Sequence, residues 1–385
     1  MKLYADFNAT GKVSAEHLTA LSQRILTADG NPSSQHSSGR GAKVAMETAR
    51  LSVARLLGAD PMEIIFTSGA TEANNLAIQG KALMARAGGG LRKMVTTAAE
   101  HPSVIEPARF WQDRYGGKTV WAPIRNDGIL DDGELEKVVD GETDLVALLL
   151  ANNETGVVMN LDLTVAAIRR KAPACHIHVD AVQAVGRMDV SQLGRGLVDS
   201  LAISGHKIGG LKGAGVLYLK SRTKLEPLLG GGSQERNRRP GTENLPAIIS
   251  FGMRCDDLVK SRPWTGDTLA GYETARKILE EKIGAISGAV IHGQGARRLW
   301  NTFNFHVDQV GGDALLMNLD LSGVDASSGS ACSTGVGRPS HVLKAMGYMD
   351  WEALNSVRLS FGYDFSVQQA EQVGDLIATI VGRLH

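Results

Sequence analysis

One lysine in this chain stands where a reactive amine could be held. In Ser200-Leu-Ala-Ile-Ser204-Gly-His206-Lys207-Ile-Gly-Gly, the apolar run Leu201 to Ile203 predicts a short buried strand. The run stops at Ser204-Gly205, and Lys207 follows at once. Gly209, Gly210, Gly213 and Gly215 crowd the next stretch, before a second apolar strand from Val216 to Leu219. Glycines this dense let a backbone come close to a bound group. A lysine between two strands can be desolvated, which lowers its pKa and makes the amine a nucleophile. The alternative is a solvated lysine on a surface turn.

The reactive reading is a Schiff-base lysine carrying pyridoxal phosphate, and it needs further parts. The pyridine nitrogen needs a carboxylate to stay protonated and draw electrons; Asp180, at the end of the run His176-Ile-His178-Val-Asp180, supplies one. The flat ring needs a face partner, and His101 in Glu100-His101-Pro102-Ser103 is the candidate. Gln183 and Asn153 are polar donors for the phenolic oxygen. Ala70, Thr71, Ser204, His206 and Thr242 offer small hydroxyl and backbone donors for the phosphate.

The elements that must position these residues alternate. Ser14 resembles an N-cap for a helix to about Leu26, and Ala42 to Leu57 has helical periodicity. Ile64 to Glu72 predicts a strand, a tight turn and a helix start, where backbone N–H groups can take an anion or a simple cap can form. Strands follow at Lys93 to Thr97, Thr119 to Ala122, Leu145 to Ala151 and His176 to Asp180, with a helix from Leu163 to Lys171. This rhythm predicts an α/β fold, a mostly parallel sheet with helices on both faces. Polar clusters end the strands, where such sheets bind ligands. Arg222 to Asn244 is loop-like, and Ala247 to Lys260 and Pro263 to Ile283 are helical. Gly323 to Arg338 is a Gly/Ser loop holding Cys332; a strand at Val357 to Phe361 and a helix from Ser366 close the chain.

The bulk numbers narrow the class. A chain of 385 residues predicts two domains, here 15–255 as a large domain, with 1–14 and 256–385 as a small one. Lys plus Arg and Asp plus Glu balance at 41 each, so no basic footprint suggests nucleic acid. Three cysteines, Cys175, Cys255 and Cys332, suggest a reducing compartment rather than a disulfide framework. The N-terminus has no apolar signal core, and the run Leu145 to Ala151 is too short to span a bilayer, so a cytoplasmic protein free of the membrane is expected. Gly117-Lys118-Thr119 lacks the glycine a phosphate-binding P-loop needs, since Gln112 holds that position. No G-x-G-x-x-G follows a strand. His176, His178 and Asp180 share a strand face without a third ligand cluster, so no metal site is expected.

Motifs in order along nearly the whole chain resemble a known family. They are Gly30-Asn-Pro-Ser-Ser-Gln-His36, Thr67-Ser-Gly-Ala-Thr-Glu-Ala-Asn74, Glu100-His101, Asn152-Asn-Glu-Thr-Gly156, His178-Val-Asp-Ala-Val-Gln183, Ser204-Gly-His-Lys207, Arg239-Pro-Gly-Thr242, Ser327-Ser-Gly-Ser-Ala-Cys332 and Val357-Arg358-Leu-Ser. Together they resemble the pyridoxal-phosphate cysteine desulfurases, the NifS/IscS-like group of the class V aminotransferases. The resemblance implies the aspartate aminotransferase-like fold type I and a homodimer in which Thr242 reaches the partner subunit's phosphate. It implies that Lys207, Cys332 and His101 are catalytic, Cys332 being the nucleophile. Arg358, with Asn153, would hold the substrate carboxylate. L-cysteine would yield L-alanine and a persulfide on Cys332, passed to a sulfur-acceptor protein or scaffold in iron–sulfur cluster assembly or another thio-transfer pathway. An aminotransferase or a selenocysteine lyase is the rival within the cofactor class, and a non-catalytic scaffold the rival outside it. The sequence departs from the family at Gly11-Lys12, where a second threonine and a proline are usual. It also closes soon after its last helix, where some members carry a longer tail that docks a scaffold.

Overall fold

The computed structural model describes residues 2–86, 90–328 and 337–384. Its centre is a seven-stranded sheet. From one edge to the other the strands are Ile64–Thr67, Gly215–Leu219, Ser200–Ser204, His176–Asp180, Thr143–Leu149, Lys93–Thr97 and Lys118–Ala122. Every pairing is parallel except those of Gly215–Leu219, which runs antiparallel to both neighbours. Five of these strands are buried at every residue. A strand buried on both faces reads as a nearly continuous apolar run, as Gly215–Leu219 does, whereas His176–Asp180 and Lys93–Thr97 carry buried polar side chains. Parallel strands also place their carboxyl ends on one edge, which gathers the segments after Thr97, Leu149, Asp180 and Ser204 into one crevice.

A smaller domain packs beyond that edge. Its antiparallel sheet runs Ser327–Ser328, Val357–Ser360, Thr302–Val307, Ala289–Ile291, against the helices Gly266–Gly284 and Val367–Leu384. Phe303, Phe305, Leu359, Leu279 and Ile377 form its core, and Leu3 and Ala5 from the N-terminus join them. Leu3–Tyr4 pairs in parallel with Val324–Asp325, and Asp6 bridges Ser360. The first residues are thus part of the small domain's framework, and the residues after them cross to the crevice.

The expected elements are present, with shifts at their ends. The helix expected from Ala42 begins at Ser37, because His36 Nδ1 accepts from Gly39 N–H and caps it early. The Gly323–Arg338 stretch, expected as a loop, contains the short strands Val324–Asp325 and Ser327–Ser328. The loop-like stretch after Arg222 contains a tight turn at Gln234–Asn237, where Glu235, Arg236 and Asn237 take positive φ of 44°, 58° and 62°. Such backbone persists only where the surroundings hold it. Glu235 is buried and makes two bonds to the Arg50 guanidinium, at 2.7 and 2.8 Å, and a third to Phe66 N–H at 2.9 Å. This pair fastens the 230s segment to the main core.

Removing Glu235 leaves the buried Arg50 guanidinium with Glu47, a half-exposed carboxylate 3.0 Å away, as its remaining counter-charge. Glu235→Ala is therefore expected to cost about 3 kcal/mol or more. The cost would be read as a lower urea midpoint at unchanged slope. Replacing both residues together, Arg50→Met with Glu235→Leu, should restore much of the loss. A single variant that unfolds with the wild-type midpoint would show that the pair does not hold the turn.

Candidate active site

A pocket of about 400 Å³ opens at the carboxyl edge of the large sheet. Of the residues singled out in the sequence, Ala70, Thr71, His101, Asn153, Asp180, Gln183, Ser204, His206, Lys207 and Arg358 all line it. Two do not enter the picture in that way. Thr242 was expected to converge with the phosphate donors, yet it is exposed and does not line the pocket of its own chain. Cys332 lies outside the described residues.

Lys207 sits on a single 3-10 turn, Gly205–Ile208, directly after the strand Ser200–Ser204. Its Nζ donates to the carbonyls of Asn8 and Ala9 at 2.7 and 2.8 Å. The Asn8 carbonyl also accepts from Gln183 Nε2 at 3.1 Å. Asn8 itself is held on every side. Its amide donates to Thr302 Oγ1 and the Asn153 carbonyl, its Oδ1 accepts from Asn301, and its backbone N–H donates to Ser360 Oγ. Nothing in the sequence marks Asn8 and Ala9 for this role, because a backbone carbonyl leaves no trace in side-chain patterns. The Gly11 departure also gains a reason. Gly11 N–H donates to the His206 carbonyl, and a Cβ there would lie 2.6 Å from Gly209 N. The chain lies too close to the lysine turn for a side chain.

Asp180 is 7% exposed and is fixed through both oxygens: Oδ2 accepts from Asn74 Nδ2 at 2.7 Å and Oδ1 from Val182 N–H at 3.0 Å. Asn74 also donates to Ser103 Oγ, which lies 2.7 Å from His101 Nδ1. His101 caps the helix Pro102–Tyr115 by accepting from Ser103 N–H. Burial pushes the His101 pKa down; Asp180 pulls against it, while Lys207 and His341 add to it. Behind this layer, His178 and His176 both meet Ser200 Oγ, and burial takes their pKa values to about 3 and about 4. These two rings belong to a hydrogen-bond chain. Among the described residues no group of three or more His, Cys, Asp or Glu is placed to hold a metal ion. Asn74 and Ser103 were not singled out in the sequence; Asn74 lies inside a matching motif, and nothing local distinguishes it from a helix surface residue.

The far end of the pocket is the start of the helix Ala70–Arg86. Gly215 passes beneath the turn so closely that a Cβ would lie 2.4 Å from Gly69 C. A Cβ on Gly69 would meet nothing within 4 Å, so the turn faces open space. First-turn N–H groups facing a cavity suit an anion. His206, beside this end, has its pKa pushed down to about 4 by burial, with Lys207 and Lys212 adding to the effect. Arg239 binds Glu72 at 2.8 Å and so ties the Thr242 loop to the same helix.

On the opposite wall Arg358 is 2% exposed. Its Nη2 donates to Asp6 Oδ1 at 2.7 Å and its Nη1 to the Asn153 carbonyl at 3.1 Å. Next to Asn153, Glu154 is buried and accepts from Ser340 Oγ. Burial raises its pKa to about 7, against the opposing pull of Ser340 and Arg358.

The sequence matches the family Aminotransferase class-V over residues 3–373. The chain belongs to this family. Among class-V relatives it is 36% identical to the cysteine desulfurase IscS of Dictyoglomus turgidum, across 100% of this chain and 95% of that protein. It is 39% identical to a cysteine desulfurase of Trichormus azollae, across 99% and 93%. Among solved structures, a NifS-like protein matches with a TM-score of 0.90 at 31% identity, covering both chains completely. The NifS-like protein of Rickettsia africae matches with a TM-score of 0.84 at 28% identity, over 99% of this chain and 100% of that one. The class-V fold thus carries the pocket, with the lysine, the carboxylate and the imidazole converging in it.

Glu154 gives the site a pH signature. A carboxyl whose folded pKa lies above its unfolded value keeps its proton while the unfolded chain loses one, so stability falls as pH rises between about 4.5 and 7. Glu154→Gln should remove that component, roughly 3 kcal/mol at most. The check is urea unfolding at pH 5 and pH 7.5 for both proteins; an equal fall in the two would show that Glu154 does not titrate this way.

Proposed function

We propose that this chain is a cysteine desulfurase that moves the sulfur of L-cysteine onto Cys332 and releases L-alanine. The observation that carries the reading is the Lys207 amine, held between two carbonyls and lining one pocket with Asp180, His101 and Arg358. The full-length desulfurase relatives support it.

The residues present fit pyridoxal phosphate. Lys207 offers the amine, Asp180 a carboxylate held through both oxygens, His101 a flat ring whose pKa burial pushes down, and the turn before Ala70 an open anion site. Gln183 Oε1 is buried and has no hydrogen-bond partner among the described residues, which marks the pocket wall as incomplete without a polar guest. The chemistry this group supplies when bound is an aldehyde for amines and a protonated ring that draws electrons from the substrate Cα. Lys207 Nζ, once free of its tether, moves the Cα proton. Arg358 orients the carboxylate, since a guanidinium can present two parallel N–H bonds. At Cys332 the thiolate attacks the substrate sulfur. The Cβ–S bond of L-cysteine breaks and an S–S bond forms, so L-cysteine and a thiol become L-alanine and a persulfide with no outside oxidant.

Both described flanks of the 329–336 segment support this role. Ser327 pairs with Arg358 itself, and Ser328 with Val357. On the far side Ser340 donates to Glu154 and His341 Nε2 donates to the Glu100 carbonyl, next to His101. Cys175 and Cys255 are buried, and burial pushes the Cys175 thiol up to about 12 and the Cys255 thiol up as well. Neither is placed as a nucleophile. Thr242, exposed on a loop tied to the helix Ala70–Arg86, suits donation to a second copy's phosphate in a homodimer. The persulfide would pass to an acceptor protein, as iron–sulfur cluster assembly requires. Among the described residues no helix is long and apolar enough to cross a membrane.

Cys332→Ser should take up pyridoxal phosphate and bind L-cysteine but release no alanine. Peptide mass mapping of the wild-type protein after L-cysteine should place one extra sulfur on Cys332; finding it on Cys175 or Cys255, with Cys332→Ser active, would refute the assignment. Arg358→Lys should raise KM for L-cysteine on the order of ten-fold or more, since lysine cannot offer the paired bonds. Loss of the cofactor at unchanged KM would instead assign Arg358 a structural role.

A further inference from the structure

Asp180 and His101 come from different segments of the chain, yet they share one neighbour. Asn74 is buried on the helix Ala70–Arg86 and gives one amide hydrogen to Asp180 Oδ2 and the other to Ser103 Oγ, at 2.7 and 2.8 Å. Its Oδ1 lies 2.9 Å from His178 Nε2. With both amide hydrogens placed, counting donors fixes the rest. Ser103 backbone N–H donates to His101 Nδ1 at 3.1 Å, and a backbone N–H can only donate, so that nitrogen carries no proton of its own. The Ser103 hydroxyl, which accepts from Asn74 and lies 2.7 Å from the same nitrogen, then turns its hydrogen toward it. A neutral ring must therefore carry its hydrogen on Nε2. Charging the ring would break the cap of the helix Pro102–Tyr115 and set a cation at the helix's positive end. The count closes behind Asn74 as well: His178 Nε2–H donates to Asn74 Oδ1, Ser200 hydroxyl to His178 Nδ1, and His176 Nε2–H to Ser200 Oγ.

We propose that Asn74 is a positioning residue for the reaction, fixing the plane of the Asp180 carboxylate and, through Ser103, holding His101 as the neutral Nε2–H tautomer. Among the described residues, Asp180 faces His101 and favours the imidazolium, while Lys207 and His341 face it and oppose the charge. The Asn74–Ser103 arm adds to the opposing side, so the ring works as a fixed donor rather than as a cation. One amide thereby coordinates the two groups that flank the cofactor.

The proposal rests on reading the pocket as that of pyridoxal phosphate, and the test separates the two. Nitrogen-15 labelling of histidine distinguishes the two tautomers and the imidazolium by long-range proton–nitrogen correlations, with His101→Gln identifying the signal. The full chain is measured before and after pyridoxal phosphate is added. Both times His101 should show a bare Nδ1 and a protonated Nε2 across neutral pH. Asn74→Ala should keep the cofactor absorbance, change KM for L-cysteine by less than about two-fold and lower kcat about ten-fold, the scale of one lost hydrogen bond. In that variant His101 should take up its proton at a higher pH than in the wild type, although burial and Lys207 still hold its pKa down. Ser103→Ala should reproduce the altered titration with Asp180 still bonded to Asn74, and Ser103→Thr should restore the wild-type behaviour. A wild-type ring protonated on Nδ1 would overturn the proposal. So would a wild-type His101 titration in both Asn74→Ala and Ser103→Ala; if Asn74→Ala does not fold, Ser103→Ala alone decides. A chain that takes up no pyridoxal phosphate yet shows the Nε2–H ring fails the cofactor reading and not this one.

Discussion

The site depends on two backbone carbonyls. Asn8 and Ala9 hold the Lys207 amine, and they can do so because the chain has crossed from the small domain's framework into the crevice. A lysine amine at the edge of a buried sheet would otherwise have no fixed direction, since its four-carbon stem is flexible. Asn8 is itself fixed by Asn301 and Thr302 on its side chain, by Ser360 on its N–H and by Gln183 on its carbonyl, drawn from both domains. The lysine's position therefore reports the docking of one domain on the other.

Around that amine the charges are arranged so that each is answered by a different element. Asp180 is planar and bonded through both oxygens, and Arg358 is matched by Asp6. Burial pushes down the pKa values of His101, His176, His178 and His206. Buried polar groups are tolerated when their bonds are complete. The exceptions are informative: Gln183 Oε1 and Arg358 Nε lack partners among the described residues, and both residues line the pocket. The wall is complete where it supports itself and open where a guest would bind.

Much of this was legible in the sequence. The strands announced themselves as apolar runs, and their polar ends named the crevice residues, because a parallel sheet puts all those ends on one edge. Lys207, Asp180 and His101 were legible because their residue types suit the proposed chemistry and Arg358 through the family resemblance, and all four line the pocket. Asn8, Asp6, Asn74 and Ser103 were not found. Asn8 acts through its carbonyl, Asp6 through an arginine 352 positions away, and Asn74 through bonds to residues on two other segments. Such partners are fixed by tertiary structure alone and leave no local period or spacing. Thr242 shows the reverse case. Its motif points to the cofactor, but its own chain does not bring it to the pocket, and a second copy is what would give it a role.

The central claim is that Lys207, and no other amine, carries the cofactor. Its most direct test is to incubate the full chain with pyridoxal phosphate, reduce with borohydride and map the modified peptide by mass. The account predicts one pyridoxyl group per chain on Lys207, with none in Lys207→Ala. A pyridoxyl group on Lys212, the other lysine lining the pocket, or no modification at all, would contradict it.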